Sequence, residues 1–405
     1  MQADQNQVAH TLAEAGEMGA LPWDLEELQD PQALFTETAE FQALSPEQQQ
    51  AVQEFFATAA PEGTAPEQAA AIAEQLANAL THGRLTAEDA FGKTTLDHLS
   101  AFNQAPLHAS IEGETSKAEI AQNILKALSN PASLTQGVDT LDCAEATLEA
   151  TLAYSQPADF TRIAVELATQ GAATIPGSPA TPGSEQMPLV MLGERAERNM
   201  LSHMMQGSFK AKVDGRPALE LQALDKAGNL QRTGLDSQKV KLLYDGITGK
   251  DHLTLYANKG VNLVPSLKKA LENSDSGVVK VTMKSDKGLH AVAVTGFSNE
   301  GVNIWDPATG EGKVISNKEF NSLLVRATVE REALDRGKQK ENNVTTRAEV
   351  DHAVNASKEL EREVAAGFAS IFSRLTTSVE NFIDKLTAMF GQEGGGRVAS
   401  TATKR

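Results

Sequence analysis

One cysteine occurs in the chain, Cys143, in the run Thr140-Leu141-Asp142-Cys143-Ala144-Glu145, where a helix is expected to begin. A helix N-terminus favours the thiolate through its macrodipole and its free backbone N–H groups. Cys143 is therefore a candidate nucleophile, although a free cysteine can equally pack as a small hydrophobe. Thiol acyl transfer also needs a base in reach and a group that orients the base. His290, at the start of the apolar run Leu289 to Gly296, is the candidate base, and Asp306, just before Pro307, is the candidate orienter. Their separation of sixteen positions accommodates two strands of about seven residues and a turn, so antiparallel pairing brings the two side chains together. Asp306 could then bond one imidazole nitrogen and leave the other for sulfur. The plainer alternatives are a packed histidine and an ordinary Asp-Pro turn.

The elements that must position these residues are readable in outline. Glycine-bearing turns at Ser285–Gly288, Asn299–Gly301 and Thr309–Gly312 separate strand-like runs over 277–283, 289–296, 302–307 and 313–315, an antiparallel meander. Ser316 to Glu319 reads as a capping box opening a helix through Phe320. Before the meander, helices are expected over 142–154, 156–169, 192–206, 237–244 and 265–271, a Gly/Pro/Ser-rich loop over 171–188, and a hairpin near Ala227–Asn229. Asp142 is expected to cap the cysteine helix, and Trp305 to face away from Asp306 into the core.

Residues 1–130 are helical in pattern, with starts at Ser45, Thr64, Thr86 and Ser116. Apolar residues from Leu360 to Phe390 recur at three- and four-residue steps, an amphipathic helix or helical hairpin that packs on its own chain, takes a partner such as a chaperone, or lies on a membrane surface. The tail from Gly394 to Arg405 is expected to be disordered. This divides the chain into a helical accessory region 1–130, a catalytic region 131–332 and a helical C-terminal region 333–405.

Composition narrows the function classes. The 405 residues carry 54 acids against 36 bases, a net charge of −18 that disfavours nucleic-acid binding through a basic face. No apolar run approaches the roughly 18 residues of a membrane span, and no Sec-type signal peptide is expected. One Cys and eight His without ligand spacing point to no metal, and the lack of a phosphate-loop motif points to no nucleotide cofactor. His108, His203 and His252 stand in no motif.

The segment HAVAVTGFSNEGVNIWDPATGEGKVISNKEF, His290 to Phe320, resembles the papain-like cysteine peptidases of the bacteriocin-processing, double-glycine-leader type. A His opens an apolar strand ending in Gly, the next strand ends in Asp-Pro, and a Gly and then a Ser precede a Phe-containing helix. Asp142-Cys143 matches the Asp-Cys that begins the helix in that family, with Ala144 where the family has Gly. The resemblance covers about 130–330. It implies an α+β papain-like domain with the Cys helix packed on an antiparallel sheet, and a Cys143–His290–Asp306 triad. It also implies an oxyanion-hole glutamine, for which Gln136 is the candidate, one residue further from the Cys than in the family.

The expected activity is hydrolysis of a peptide or amide bond in a protein or peptide substrate, without cofactor. The same triad can deamidate or transamidate glutamine, and an inactive papain-like scaffold could serve binding alone. Helical, polar flanks resemble those of bacterial effectors and toxins delivered by specialised secretion. The expected setting is the bacterial cytoplasm or a target cell reached without a Sec signal.

Overall fold

A computed structural model describes residues 30–340 except 138–139, 181–182, 192–194, 215–221, 225–229, 233–234, 258–260 and 287, together with 354–355. The chain divides into two compact units, 1–353 and 354–405. The expected helix over 360–390 and the tail lie outside the described residues. The first unit combines helices with antiparallel sheet.

After two single turns, Ala33–Thr36 and Ala39–Gln42, come α1 (Pro46–Ala59), α2 (Pro66–Thr81), α3 (Thr95–Gln104) and α4 (Lys117–Ser129). Ser45 and Gln48 form the expected capping box on α1, and Ser116 caps α4. The start expected at Thr86 is not used. Asp89 accepts from the Phe91 and Lys93 N–H groups at 2.9 Å and pairs with Arg162 and His98 at 3.0 Å. This charge network holds 86–93 as a loop and defers the helix to Thr94, which forms a capping box with Asp97. At Thr64 the cap is also missing, because its hydroxyl bonds the Pro61 carbonyl and Ala65 takes the N-cap position.

Two helices follow, α5 (Cys143–Ser155) and α6 (Pro157–Gln170), the second ended by Gly171 in the left-handed conformation. The stretch expected to be a loop is a hairpin, β1 (Ala172–Ile175) with β2 (Glu185–Pro188). Its apolar residues Ala173, Ile175 and Met187 are buried, which draws the Gly/Pro-rich ends into pairing. Helix α7 (Met200–Asp214) lies eight residues later than expected, after a loop in which Ala196 and Glu197 take positive φ. The expected hairpin is present as β3 (Gln222–Leu224) and β4 (Leu230–Arg232). Then come α8 (Ser237–Thr248), β5 (His252–Tyr256), α9 (Val264–Asn273), β6 (Val279–Ser285), β7 (Gly288–Phe297), β8 (Val302–Asp306), β9 (Glu311–Ile315), α10 (Asn317–Leu323), β10 (Leu324–Glu330) and α11 (Arg331–Lys340).

The meander β6–β9 forms as expected, and the sheet is larger than expected. Its order is β5-β10-β6-β7-β8-β9, antiparallel throughout. One face, with Val281, Val292, Val294, Ile304, Leu255 and Val329, is apolar and packs on α9, α10 and α11. The other face carries Ala291, Ala293 and Trp305 into the main core. That core is continuous from Phe35 to Trp305, so α1–α4 share it with α5–α7. Gly301, at φ +155° in the β7–β8 turn, sits where a Cβ would press onto the Ile315 backbone carbonyl. Gly301→Ala is expected to destabilise the protein by about 2–3 kcal/mol, measured by urea unfolding, because neither the backbone conformation nor the neighbouring strand tolerates the methyl.

Candidate active site

Helix α5 is buried on almost every side, an arrangement suited to a helix at the centre of a core. Its hydroxyls are satisfied internally: Thr147, Thr151 and Ser155 each donate to the carbonyl four residues back, at 2.6–2.7 Å. Glu149, fully buried, accepts from Ser202 at 2.9 Å and Gln206 at 2.7 Å, and burial pushes its carboxyl up to about 7. The helix is thus held rigidly, with Cys143 at its first position.

Asp142 occupies the N-cap position without capping. Its carboxylate pairs instead with Arg198 at 2.8 Å and Lys210 at 3.0 Å, both buried. The expectation of a capping role fails because two desolvated cations from the α7 segment compete for this carboxylate more strongly than the first-turn amides do. With no side-chain cap, the first-turn N–H groups of α5 remain directed toward the thiol end of the helix.

The β7–β8 ladder begins with Ala293 opposite Trp305, and β8 ends at Asp306 before Pro307. Ala291 lies beyond that ladder, and its N–H donates to Cys143 Sγ at 3.3 Å. The preceding residue, His290, lies close enough to the thiol for the two groups to shift each other's pKa. Its Nε2 meets Asp306 Oδ1 at 2.6 Å, which leaves Nδ1 for sulfur. Asp306 Oδ1 also accepts the Ala308 N–H at 3.0 Å, and Lys313 lies 3.5 Å from its Oδ2. The structure therefore brings Cys143, His290 and Asp306 together, and Trp305, 2% exposed, faces the core.

The electrostatics of the three residues are linked. Burial raises the Asp306 carboxyl, but hydrogen bonds from His290 and Ala308 and the nearby positive charges outweigh it and hold it at about 2. Burial likewise lowers His290, and its bonds to Asp306 and Cys143 reverse this and lift it to about 9. Burial pushes the Cys143 thiol up, and the bonds from His290 and the Ala291 N–H, with the charges of His290 and Lys280, bring it below its ordinary value. Both changes act in the direction of a thiolate–imidazolium pair.

Gln136 lies in the loop before α5. Its backbone N–H donates to the Pro307 carbonyl at 2.9 Å, tying this loop to the strand end that carries Asp306. Its side-chain amide donates to Thr140 O at 3.3 Å, and its Oε1 is buried without a hydrogen-bond partner. The residues that sequence reasoning passed over are Ala291, Arg198, Lys210, Glu145 and Lys280. Lys280 alone left a local sign, as a charged residue between valines in a strand-like run. Among the described residues no helix is long and apolar enough to cross a membrane. Comparisons with profiles of known protein families, with curated proteins and with solved structures give no match.

Proposed function

We propose that the chain is a papain-like thiol hydrolase that cleaves a peptide or amide bond in a protein or peptide. The observation that carries the reading is the meeting of Cys143, His290 and Asp306, brought together from a helix N-terminus and two adjacent strands, with His290 bonded to Asp306 and the next residue's N–H on the thiol. Cys143 Sγ attacks the carbonyl carbon and forms a thioester through a tetrahedral oxyanion. His290 gives its proton to the leaving nitrogen as the C–N bond breaks. It then takes a proton from the water that cleaves the C–S bond and releases the acid. Asp306 keeps the imidazole oriented and favours its charged form. The Cys143 backbone N–H, with Gln136 as the candidate second donor, stabilises the oxyanion. The layout of polar helical flanks belongs to the same proposal: a substrate in the bacterial cytoplasm or in a cell reached by specialised secretion.

The pH profile follows from the signs of the shifts. The ion pair forms once the thiol ionises below its ordinary pKa, and the imidazole keeps its proton until about 9. kcat/KM is expected to fall as pH rises through about 9, where the leaving group loses its acid. Mass spectrometry of candidate proteins incubated with wild type and with Cys143→Ala tests the reaction class. A backbone cut dependent on Cys143 supports the hydrolase. A gain of about one dalton at glutamine, from exchange of NH₂ for OH, replaces it with a deamidase. No Cys143-dependent change, together with an alkylation rate that stays ordinary up to about pH 8.5, leaves a binding scaffold.

A further inference from the structure

The sheet face beneath Cys143 is polar yet buried. Lys280 is 3% exposed, and Thr282, Thr328 and Thr254 are similarly enclosed. Lys280 stands in register with Ala293 on β7, and Ala291, two residues along on the same face, is the residue whose N–H meets the thiol. Such diagonal neighbours lie about 7–8 Å apart at the backbone, within reach of a long side chain. From the helix side, Glu145 is wholly buried and neither of its carboxyl oxygens has a hydrogen-bond partner. The Tyr244 hydroxyl from α8 is also buried without one.

The charged groups around this spot come from every packed element. Cys143 and Glu145 belong to α5, with Asp142 just ahead. Lys210 comes from α7, Tyr244 from α8, His290 from β7 and Arg326 from β10, and Lys280 shares a cavity further along α5 with Tyr244, His252 and Glu330. The other acids are engaged elsewhere: Asp142 by Arg198 and Lys210, and Glu330 by Lys250 at 3.3 Å. A buried carboxyl without partners is stable only in its uncharged form. For Glu145, burial and the neighbouring Asp142 and Cys143 push the pKa well up against the pull of Lys210.

We infer that Lys280 is a positioning residue for the nucleophile: its ammonium, enclosed on the sheet beneath Cys143, holds the thiolate, while Glu145 stays uncharged and leaves that ammonium to the sulfur. The inference rests on the thiol-hydrolase reading above. Burial, with a smaller push from Arg326, brings Lys280 down to about 7 against the pull of Cys143 and Glu145, so the support it gives weakens above neutral pH.

The test is the rate of Cys143 alkylation by iodoacetamide from pH 4 to 10 in the full chain, with urea unfolding to check each variant. Lys280→Met is expected to raise the acid inflection by about one pH unit, a tenfold loss of thiolate at a fixed lower pH, and Lys280→Arg to restore it. Glu145→Gln, which fixes the uncharged form, is expected to leave that inflection in place. Wild type is expected to show a second step near pH 7, as Lys280 loses its proton and the thiolate becomes more nucleophilic. This step serves if the Lys280 variants do not fold. A Lys280→Met profile that superimposes on wild type overturns the inference, as does a missing step near pH 7. So does a downward move of a unit or more in Glu145→Gln. His290→Ala separates the two readings. If it leaves the profile unchanged, the triad fails; if it shifts the profile while Lys280→Met does not, only the role of Lys280 fails.

Discussion

Replacing His290 by alanine is expected to lower kcat/KM for amide hydrolysis about a thousandfold, within the range of general acid–base contributions. The loss has two separable parts. His290 supplies the proton for the leaving nitrogen, and its positive charge and hydrogen bond hold the thiol below its ordinary pKa. Without the imidazole, Cys143 keeps burial, which pushes the thiol up, and retains the Ala291 N–H and Lys280 as its remaining support. Iodoacetamide alkylation at pH 6 should therefore slow by about a hundredfold, approaching the rate of an unactivated thiol. Asp306→Asn should act in the same direction and less strongly. It removes the charge that lifts His290 while leaving an oxygen to accept the Nε2 hydrogen bond seen at 2.6 Å. An alkylation profile of His290→Ala that matched wild type would defeat the triad whatever happened to turnover.

Asp142→Ala is expected to be the most destabilising single change near the site, by about 3–5 kcal/mol in urea unfolding, because it removes the carboxylate that pairs with two buried cations. Arg198 and Lys210 have side chains 2% and 7% exposed, so neither reaches water to recover its solvation. The same carboxylate joins the α7 segment to the start of α5, next to Cys143. Loss of this tie should also loosen the nucleophile. Arg198→Met should be milder, since Asp142 keeps Lys210, and the double variant Asp142→Ala, Arg198→Met should be more stable than the sum of the two single losses. Additive losses would show that the buried pair has no energetic coupling.

Local sequence signals carried the part of the sheet from β6 to β9. Gly288, Gly301 and Gly310, all at positive φ, mark the turns between β6, β7, β8 and β9, so the pairing that puts His290 beside Asp306 was legible from spacing. The rest was not. β10 follows α10 directly, with Leu323 and Leu324 on either side of the change and no turn residue between them. β5 contains His252, which stood in no motif, and pairs only with a strand some seventy residues later. The hairpin of β1 and β2 read as a loop because its Gly and Pro residues outweighed a short apolar alternation.

By itself the sequence determined what depends on near neighbours: the caps at Ser45 and Ser116, the cysteine at a helix start, and the turn-bounded strands that carry His290 and Asp306. Only the tertiary structure decided the role of Asp142, the loop at Asp89, the extension of the sheet by β10 and β5, and the burial of Lys280 and Glu145. The physical reason is range. Capping and turn chemistry act within a few residues, whereas burial and the charge pairing that must accompany it depend on which distant segments are brought together to exclude water.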